Sequence, residues 1–182
     1  MNDAPDTVEP ATRNPARTSG LHVVLDTNVW LDWLVFGDPS SRLLAELAAT
    51  GQMTIRSSAH GRGELAEVIA RPHFKLSAGQ QAECLRRFDT MGTMATEAGA
   101  PLTLLCSDPD DQPFLELAVA HRVSHLLSRD RALLKLARRA GRMYELSIMT
   151  PEQFGLAVSA PAPAQQTGNH RQPDTDSNPA RP

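Results

Sequence analysis

The sequence predicts an α/β fold, a three-layer α/β/α sandwich around a four- or five-stranded, mostly parallel sheet. Three observations lead there. Short apolar runs alternate with helical stretches of about ten residues or more, the spacing of right-handed crossovers around a parallel sheet. The first run, Leu21-His22-Val23-Val24-Leu25, is nearly continuous in apolar side chains, as befits a strand covered on both faces. Acidic residues stand where such runs end or helices begin, and in a parallel sheet those strand ends share one edge. No internal repeat is visible.

Taken in order, the first run is the expected central strand. Pro39-Ser40-Ser41 supplies a helix start, Leu43, Leu44, Leu47 and Ala48 recur at helical spacing, and Gly51 provides the stop. A second strand is expected at residues 53–56. The next helix, residues 59–70, carries Leu65, Val68 and Ile69 on one face, and Pro72 forces its end near Arg71. Residues 77–98 read as helix, with Ala82, Leu85, Phe88 and Met91 on a stripe and Gly92 as a point of division. Gly99-Ala100-Pro101 closes that segment.

Residues 102–106 form the expected third strand, and Ser107-Asp108-Pro109-Asp110 turns into a helix carrying Phe114, Leu115, Ala118 and Val119. A fourth strand is expected at residues 125–128, a helix at 131–140 ending at Gly141, and a weak fifth strand at 145–149. Thr150 as cap with Pro151 at the first helical position opens a last short helix.

Length and composition bound the rest. Residues 20–155 hold nearly all the leucine, valine and isoleucine and suffice for one domain with a sizeable core. Residues 1–19 hold three prolines and no apolar periodicity, and residues 156–182 run to Pro, Ala, Gln, Asn, Asp and Ser; both segments are expected to be disordered. A formal net charge of −3 neither demands nor forbids an anionic partner, so local clustering decides. Cys84 and Cys106 are the only cysteines, both in apolar contexts and without CxxC spacing, which points to core packing in a reducing cytoplasm. No apolar run is long enough to cross a bilayer, and none near the start has the form of a signal peptide.

The acids carry the chemistry. Asp26 follows the first strand, Glu64 lies in the second helix beside Glu67, Asp111 follows residues 102–106, and Asp130 follows Leu126-Leu127. Carboxylates that converge repel unless a cation sits between them. A hard divalent ion such as Mg2+ or Mn2+ takes one or two carboxylates directly and fills its shell with water, and one such water becomes a nucleophile against phosphorus. Each acid also has a plainer reading. Asp26-Thr27-Asn28 suits a helix cap, Asp108, Asp110 and Asp111 suit N-capping with a favourable helix dipole, Asp130 suits a cap, and Glu64 suits a solvated surface. Capping by Asp26 does not account for the other three.

At these residues the chain resembles the PIN domain family of metal-dependent ribonucleases, from about Val23 to Phe154. The motifs are Val24-Leu25-Asp26-Thr27-Asn28-Val29, Glu64-Leu65-Ala66-Glu67-Val68-Ile69-Ala70-Arg71-Pro72, Asp108-Pro109-Asp110-Asp111 with Phe114-Leu115-Glu116-Leu117-Ala118, Leu127-Ser128-Arg129-Asp130, and Thr150-Pro151-Glu152-Gln153-Phe154. Each is short, and their order and intervals make coincidence a poor account. The nearest likeness is to the bacterial subgroup that supplies toxins of toxin–antitoxin pairs. The resemblance implies a PIN-like sandwich and Asp26, Glu64, Asp111 and Asp130 as catalytic metal ligands. It also implies that Asn28 braces the pocket, that Ser128 replaces a common threonine, and that Asp108 supports from behind. As partners it implies an RNA substrate and an antitoxin protein, with a homodimer as one allowed form. The chain departs mildly in Ala59-His60-Gly61-Arg62-Gly63, glycine-rich for a helix start and readable as a loosened lid, and in the bulky Trp30 and Trp33.

For holding RNA, Arg131, Lys135, Arg138, Arg139 and Arg142 recur at helical spacing opposite Leu133, Leu134, Leu136, Ala137 and Ala140. Such a stripe, starting beside Asp130, suits a phosphate backbone or simply a solvated helix end. Trp30, Trp33 and Phe36 trace a narrow face better suited to core or a protein interface than to stacking bases. The six histidines show no paired zinc spacing. The sequence thus supports a Mg2+- or Mn2+-dependent endoribonuclease first, and a non-catalytic interaction module with an acidic pocket second. A phosphoacceptor receiver domain, third, lacks the adjacent acid pair after the first strand and a lysine after the last.

Overall fold

In a computed structural model, which describes residues 20–95 and 102–159, five strands form one fully parallel sheet in the order β3-β2-β1-β4-β5. The strands are β1 (Leu21–Leu25), β2 (Met53–Ser57), β3 (Gly92–Met94), β4 (His125–Leu127) and β5 (Ser147–Met149). The helices are α1 (Thr27–Leu31), α2 (Ser41–Ala49), α3 (Ala59–Ile69), α4 (Ala78–Met91), α5 (Gln112–Ala120), α6 (Arg131–Leu134), α7 (Ala137–Tyr144) and α8 (Pro151–Ser159). A π-helical turn at Asp32–Phe36 extends α1, and a 3-10 turn at Pro72–Phe74 follows α3. The expected three-layer α/β sandwich is present, with β1 at its centre.

Alternation along β1 divides the core into two layers. Val23 and Leu25 point into one, with Trp30, Trp33, Leu65, Ile69, Phe88 and Phe154. Val24 points into the other, with Leu104, Phe114, Leu115, Leu126, Leu133 and Ile148. Each fully buried side chain of this kind contributes about 1.5–3 kcal/mol, enough collectively to hold unfavourable polar groups in place at the rim. Caps fix the helix starts: Ser58 Oγ accepts the Gly61 amide at 3.2 Å, Ser77 and Gln80 form a reciprocal box, and Thr150 and Gln153 form another.

Several expected elements are corrected. Residues 102–106 are not a strand. Leu104 is fully buried but Leu105 is 66% exposed, and the Gln112 side chain satisfies the Cys106 amide and the Leu104 carbonyl in place of a neighbouring strand. The strand at that sheet position is β3, which the sequence reading had placed inside a long helix. α4 stops at Gly92 because its chain must close on β2: a Cβ there would stand 2.4 Å from Ser57 Oγ. The helix expected at 131–140 is two pieces, α6 and α7, broken where Leu136 turns inward with its amide on the Leu133 carbonyl, and α7 passes Gly141 to end at Glu145 in the left-handed region (φ 56°). α8 runs to Ser159, into the segment expected to be tail. The remaining terminal residues and residues 96–101 lie outside the described chain.

The glycine-rich start of α3 is packed. Gly61 is buried, and a Cβ on it would meet Phe114 Cε1 at 3.2 Å, so α3 and α5 approach closely there. This leaves no support for a lid. Trp30 and Trp33 stack in the core with ring centroids 5.7 Å apart, while Phe36 is 62% exposed and lies 5.9 Å from Phe74. Cys84 is buried and Cys106 half-buried, both free thiols.

Candidate functional site

Parallel pairing sets the site's geometry. Leu25 and Leu127 are in register on adjacent strands, so the residues that follow them, Asp26 and Ser128, emerge side by side at the carboxyl edge. The Asp26 amide donates to the Leu127 carbonyl at 3.0 Å. Asp26 is 2% exposed and Ser128 fully buried. Ser128 Oγ donates to Asp26 Oδ2 at 2.6 Å, and Asn28 Nδ2 donates to the same oxygen at 3.1 Å. The Asp26 backbone carbonyl, not its side chain, caps α1 by accepting the Val29 and Trp30 amides. Burial pushes the Asp26 carboxyl above the ordinary range, against the opposing bonds from Ser128 and Asn28.

Asp111 stands at the start of α5, and its side chain caps nothing. Burial, followed by the negative charges of Asp26, Asp130 and Asp108, pushes it up to about 7. Those four residues therefore share one electrostatic neighbourhood. Asp108 is exposed and accepts the Asp110 amide at 3.0 Å, bracing the turn. Asp130 Oδ1 caps α6 through the Ala132 amide at 2.5 Å, so the plainer capping reading holds for it even as it faces Asp111.

Glu64 points from α3 towards this edge, whereas Glu67 is exposed. Burial raises its carboxyl first, and the charges of Asp26 and Asp110 add to the rise, against Thr27 and His60. Its Oε2 and the neighbouring Thr27 Oγ1 are buried without a hydrogen bond of good geometry, although Thr27 stands close enough to lower the Glu64 carboxyl and His60 Nε2 lies 3.9 Å from Oε2. Asp110, one of the three acids that suit N-capping of α5, is close enough to raise Glu64 and so belongs to that side of the cluster. A buried carboxylate oxygen without a good hydrogen bond and acids that raise one another suit a hard cation. Among the described residues, however, no three His, Cys, Asp or Glu side chains gather closely enough to ligate one ion together. Carboxylate oxygens are the donors that a hard cation such as Mg2+ or Mn2+ takes, and such an ion commonly binds one or two carboxylates and fills its shell with water.

A second acid cluster adjoins the first and was not foreseen. Arg129 Nε donates to Asp32 Oδ2 at 2.5 Å, and one terminal nitrogen reaches Glu152 Oε1 at 2.5 Å and Ser40 Oγ at 3.2 Å, with Asp38 at 3.7 Å. Nothing in the spacing of Asp32, Asp38 and Glu152 links them, because they meet only through the fold. The basic residues Arg131, Lys135, Arg138, Arg139 and Arg142 are all exposed, but they lie on α6, the break and α7 rather than on one continuous helix. Among the described residues, no helix is long and apolar enough to cross a membrane.

A family model described as PIN domain matches residues 22–132. No curated protein matches the chain by sequence. Among solved structures, the chain is similar to one in the crystal structure of VapBC2 from Rickettsia felis bound to a DNA fragment from their promoter. The likeness has 16% identity and a TM-score of 0.49, covering 70% of this chain and 97% of that one.

Proposed function

Because the chain belongs to the PIN domain family, we propose that it is a Mg2+- or Mn2+-dependent endoribonuclease that hydrolyses RNA phosphodiester bonds, acting in the cytoplasm as the toxin of a toxin–antitoxin pair. The observation that carries the nuclease reading is electrostatic. Asp26, Glu64 and Asp111 are all raised, and among the described residues no Lys or Arg forms an ion pair with any of them or with Asp130. A divalent cation held by Asp26 and Asp111, with Glu64 and Asp130 beside it, would supply Lewis acidity and a more acidic water for the hydrolysis.

The chain's own groups do the rest. Ser128 and Asn28 fix one oxygen of Asp26 so that the carboxylate keeps a single orientation. Asp111, pushed up to about 7 by burial and its acidic neighbours in the metal-free chain, is a carboxylate whose ionised form a bound cation would favour. Glu64 and Asp130 complete the acidic rim, with Asp108 bracing it. The exposed Arg131, Lys135, Arg138, Arg139 and Arg142 draw the phosphate backbone towards that rim in a salt-dependent, sequence-independent way. The toxin assignment rests on the subgroup motifs, and an antitoxin-like reading frame beside the gene would support it.

One observation favours the second reading, a non-catalytic module that binds a protein partner: among the described residues, no three ligands are gathered. Cleavage of RNA with Mg2+, Mn2+ or EDTA, paired with calorimetric titration of Mn2+, separates the two. The nuclease reading expects cleavage that EDTA stops and Mn2+ binding that Asp26→Asn removes. A module expects neither.

A further inference from the structure

Two of the proposed rim residues flank an arginine whose side chain leaves the rim altogether, and we infer that Arg129 is a positioning residue for Ser128 and Asp130. This rests on the nuclease reading for its functional half. The guanidinium ties together the π-helical turn after α1 through Asp32, the loop before α2 through Asp38 and Ser40, and the first turn of α8 through Glu152. The fork donates hydrogen bonds to Asp32, Ser40 and Glu152, with Asp38 a longer electrostatic contact at 3.7 Å, so Arg129 is held from several directions at once.

What the Arg129 backbone carries is the acid-orienting turn. Ser128 Oγ donates to Asp26 Oδ2 at 2.6 Å and accepts the Asp130 amide at 2.8 Å, so donor and acceptor are both committed. Asp130 Oδ1 in turn accepts the Ala132 amide. Ser128, Arg129 and Asp130 therefore form one short relay: the central residue is anchored away from the site, and its two neighbours face into it. Release of the anchor frees both neighbours, although Arg129 touches neither Asp26 nor Asp111. Partners behind a ligand commonly govern metal affinity by about tenfold to a hundredfold.

The test uses the full chain with Arg129→Gln and Arg129→Lys, both verified as folded. Amide hydrogen exchange is read at Asp130 and Ala132 against Val24 and Leu126 in the central strands, alongside Mn2+ calorimetry and RNA cleavage. In R129Q, exchange at Asp130 and Ala132 is expected to rise about tenfold while the strand amides hold. Mn2+ affinity should fall about tenfold, and kcat should fall with KM kept. R129K keeps the charge without the fork and should recover stability but not the exchange protection. Should R129Q not fold, Glu152→Gln removes a single partner and should give the same local pattern, smaller. Exchange unchanged at Asp130 and Ala132, or raised equally at Leu126, would reduce Arg129 to general scaffolding and overturn the inference. Absence of Asp26-dependent Mn2+ binding in the native chain would instead sink the nuclease reading, and the exchange pattern would still decide whether Arg129 holds the turn.

Discussion

Two groups of acids lie next to each other at the carboxyl edge of the sheet, and they behave oppositely. Around Arg129, Asp38 is lowered first by the Ser40 hydroxyl, and Glu152 is lowered by its own backbone amide, Thr150 and Arg129 in spite of partial burial. Around Asp26, burial raises the acids, and for Glu64 and Asp111 the negative charges of their neighbours add to the rise. One group contains a guanidinium; the other has no Lys or Arg among the described residues and only His60, 3.9 Å from Glu64, as a basic neighbour. A count of acidic residues would not distinguish them; Asp38 and Glu152 are lowered chiefly by hydrogen bonds, with Arg129 adding to these, whereas the acids around Asp26 have no arginine or lysine partner among the described residues. The comparison locates the place where an external cation changes the energetics most.

The sharpest break of this contrast is Asp26→Asn. Losing several kcal/mol of transition-state stabilisation corresponds to about 10²–10³-fold in rate, so metal-dependent cleavage should fall by at least that much. The metal-free variant should melt no lower than the native chain, because a buried repelling carboxylate has gone; thermal denaturation in EDTA checks this. Cleavage that survived in a cleanly purified variant would remove Asp26 from the chemistry.

Next in size is the dependence on pH. Asp111 is raised from 3.8 to about 7, so between those values the folded chain keeps a proton that the unfolded chain has lost. The stabilisation linked to this group is complete below about 3.8 and disappears as pH rises through about 7. Asp111 is half-buried, and solvent screening reduces the effect to about 1 kcal/mol, or about 3 °C in melting temperature. Melts at pH 5 and pH 8 in EDTA should show this component, and Asp111→Asn or added Mn2+ should flatten it.

A smaller effect is expected on the basic face. Arg138→Glu with Arg139→Glu should weaken RNA binding evenly across sequences and reduce the salt slope by about 1 per lost phosphate contact. Unchanged affinity and slope in a filter-binding series would make that face a solvated one. Smallest of all, Glu152→Gln should cost well under 1 kcal/mol, as expected for a half-exposed ion pair, and thermal melts at neutral pH would register it.

Much of this arrangement was legible before any coordinates. Buried strands such as Leu21–Leu25 announce themselves by continuous apolar side chains, and an acid directly after one must reach the shared edge. That rule places Asp26 and, just past β4, Asp130 at the edge; Asp111 was expected there from a strand at 102–106 that does not form, and Glu64 from the family motif alone. Three failures have physical causes. β3 spans only Gly-Thr-Met, too short for periodicity, and its decisive feature is a missing Cβ against Ser57. Residues 102–106 carry strand-like side chains but find their backbone partners in Gln112, a long-range accommodation that no local pattern encodes. Arg129 was passed over because its three acidic partners are separated from it by 97, 91 and 23 positions, so only the folded chain brings them together.

The contact between Gly61 and Phe114 bears on the same edge. α3 delivers Glu64 and α5 begins just past Asp111, and the two helices are stopped against each other where an aromatic carbon lies 3.2 Å from where a Cβ would stand. A methyl group at position 61 would have to push that ring back by a few tenths of an ångström. The separation of those two acids is therefore gauged, like a feeler blade in a gap, by the thickness of a hydrogen atom on a residue that has no charge and performs no chemistry.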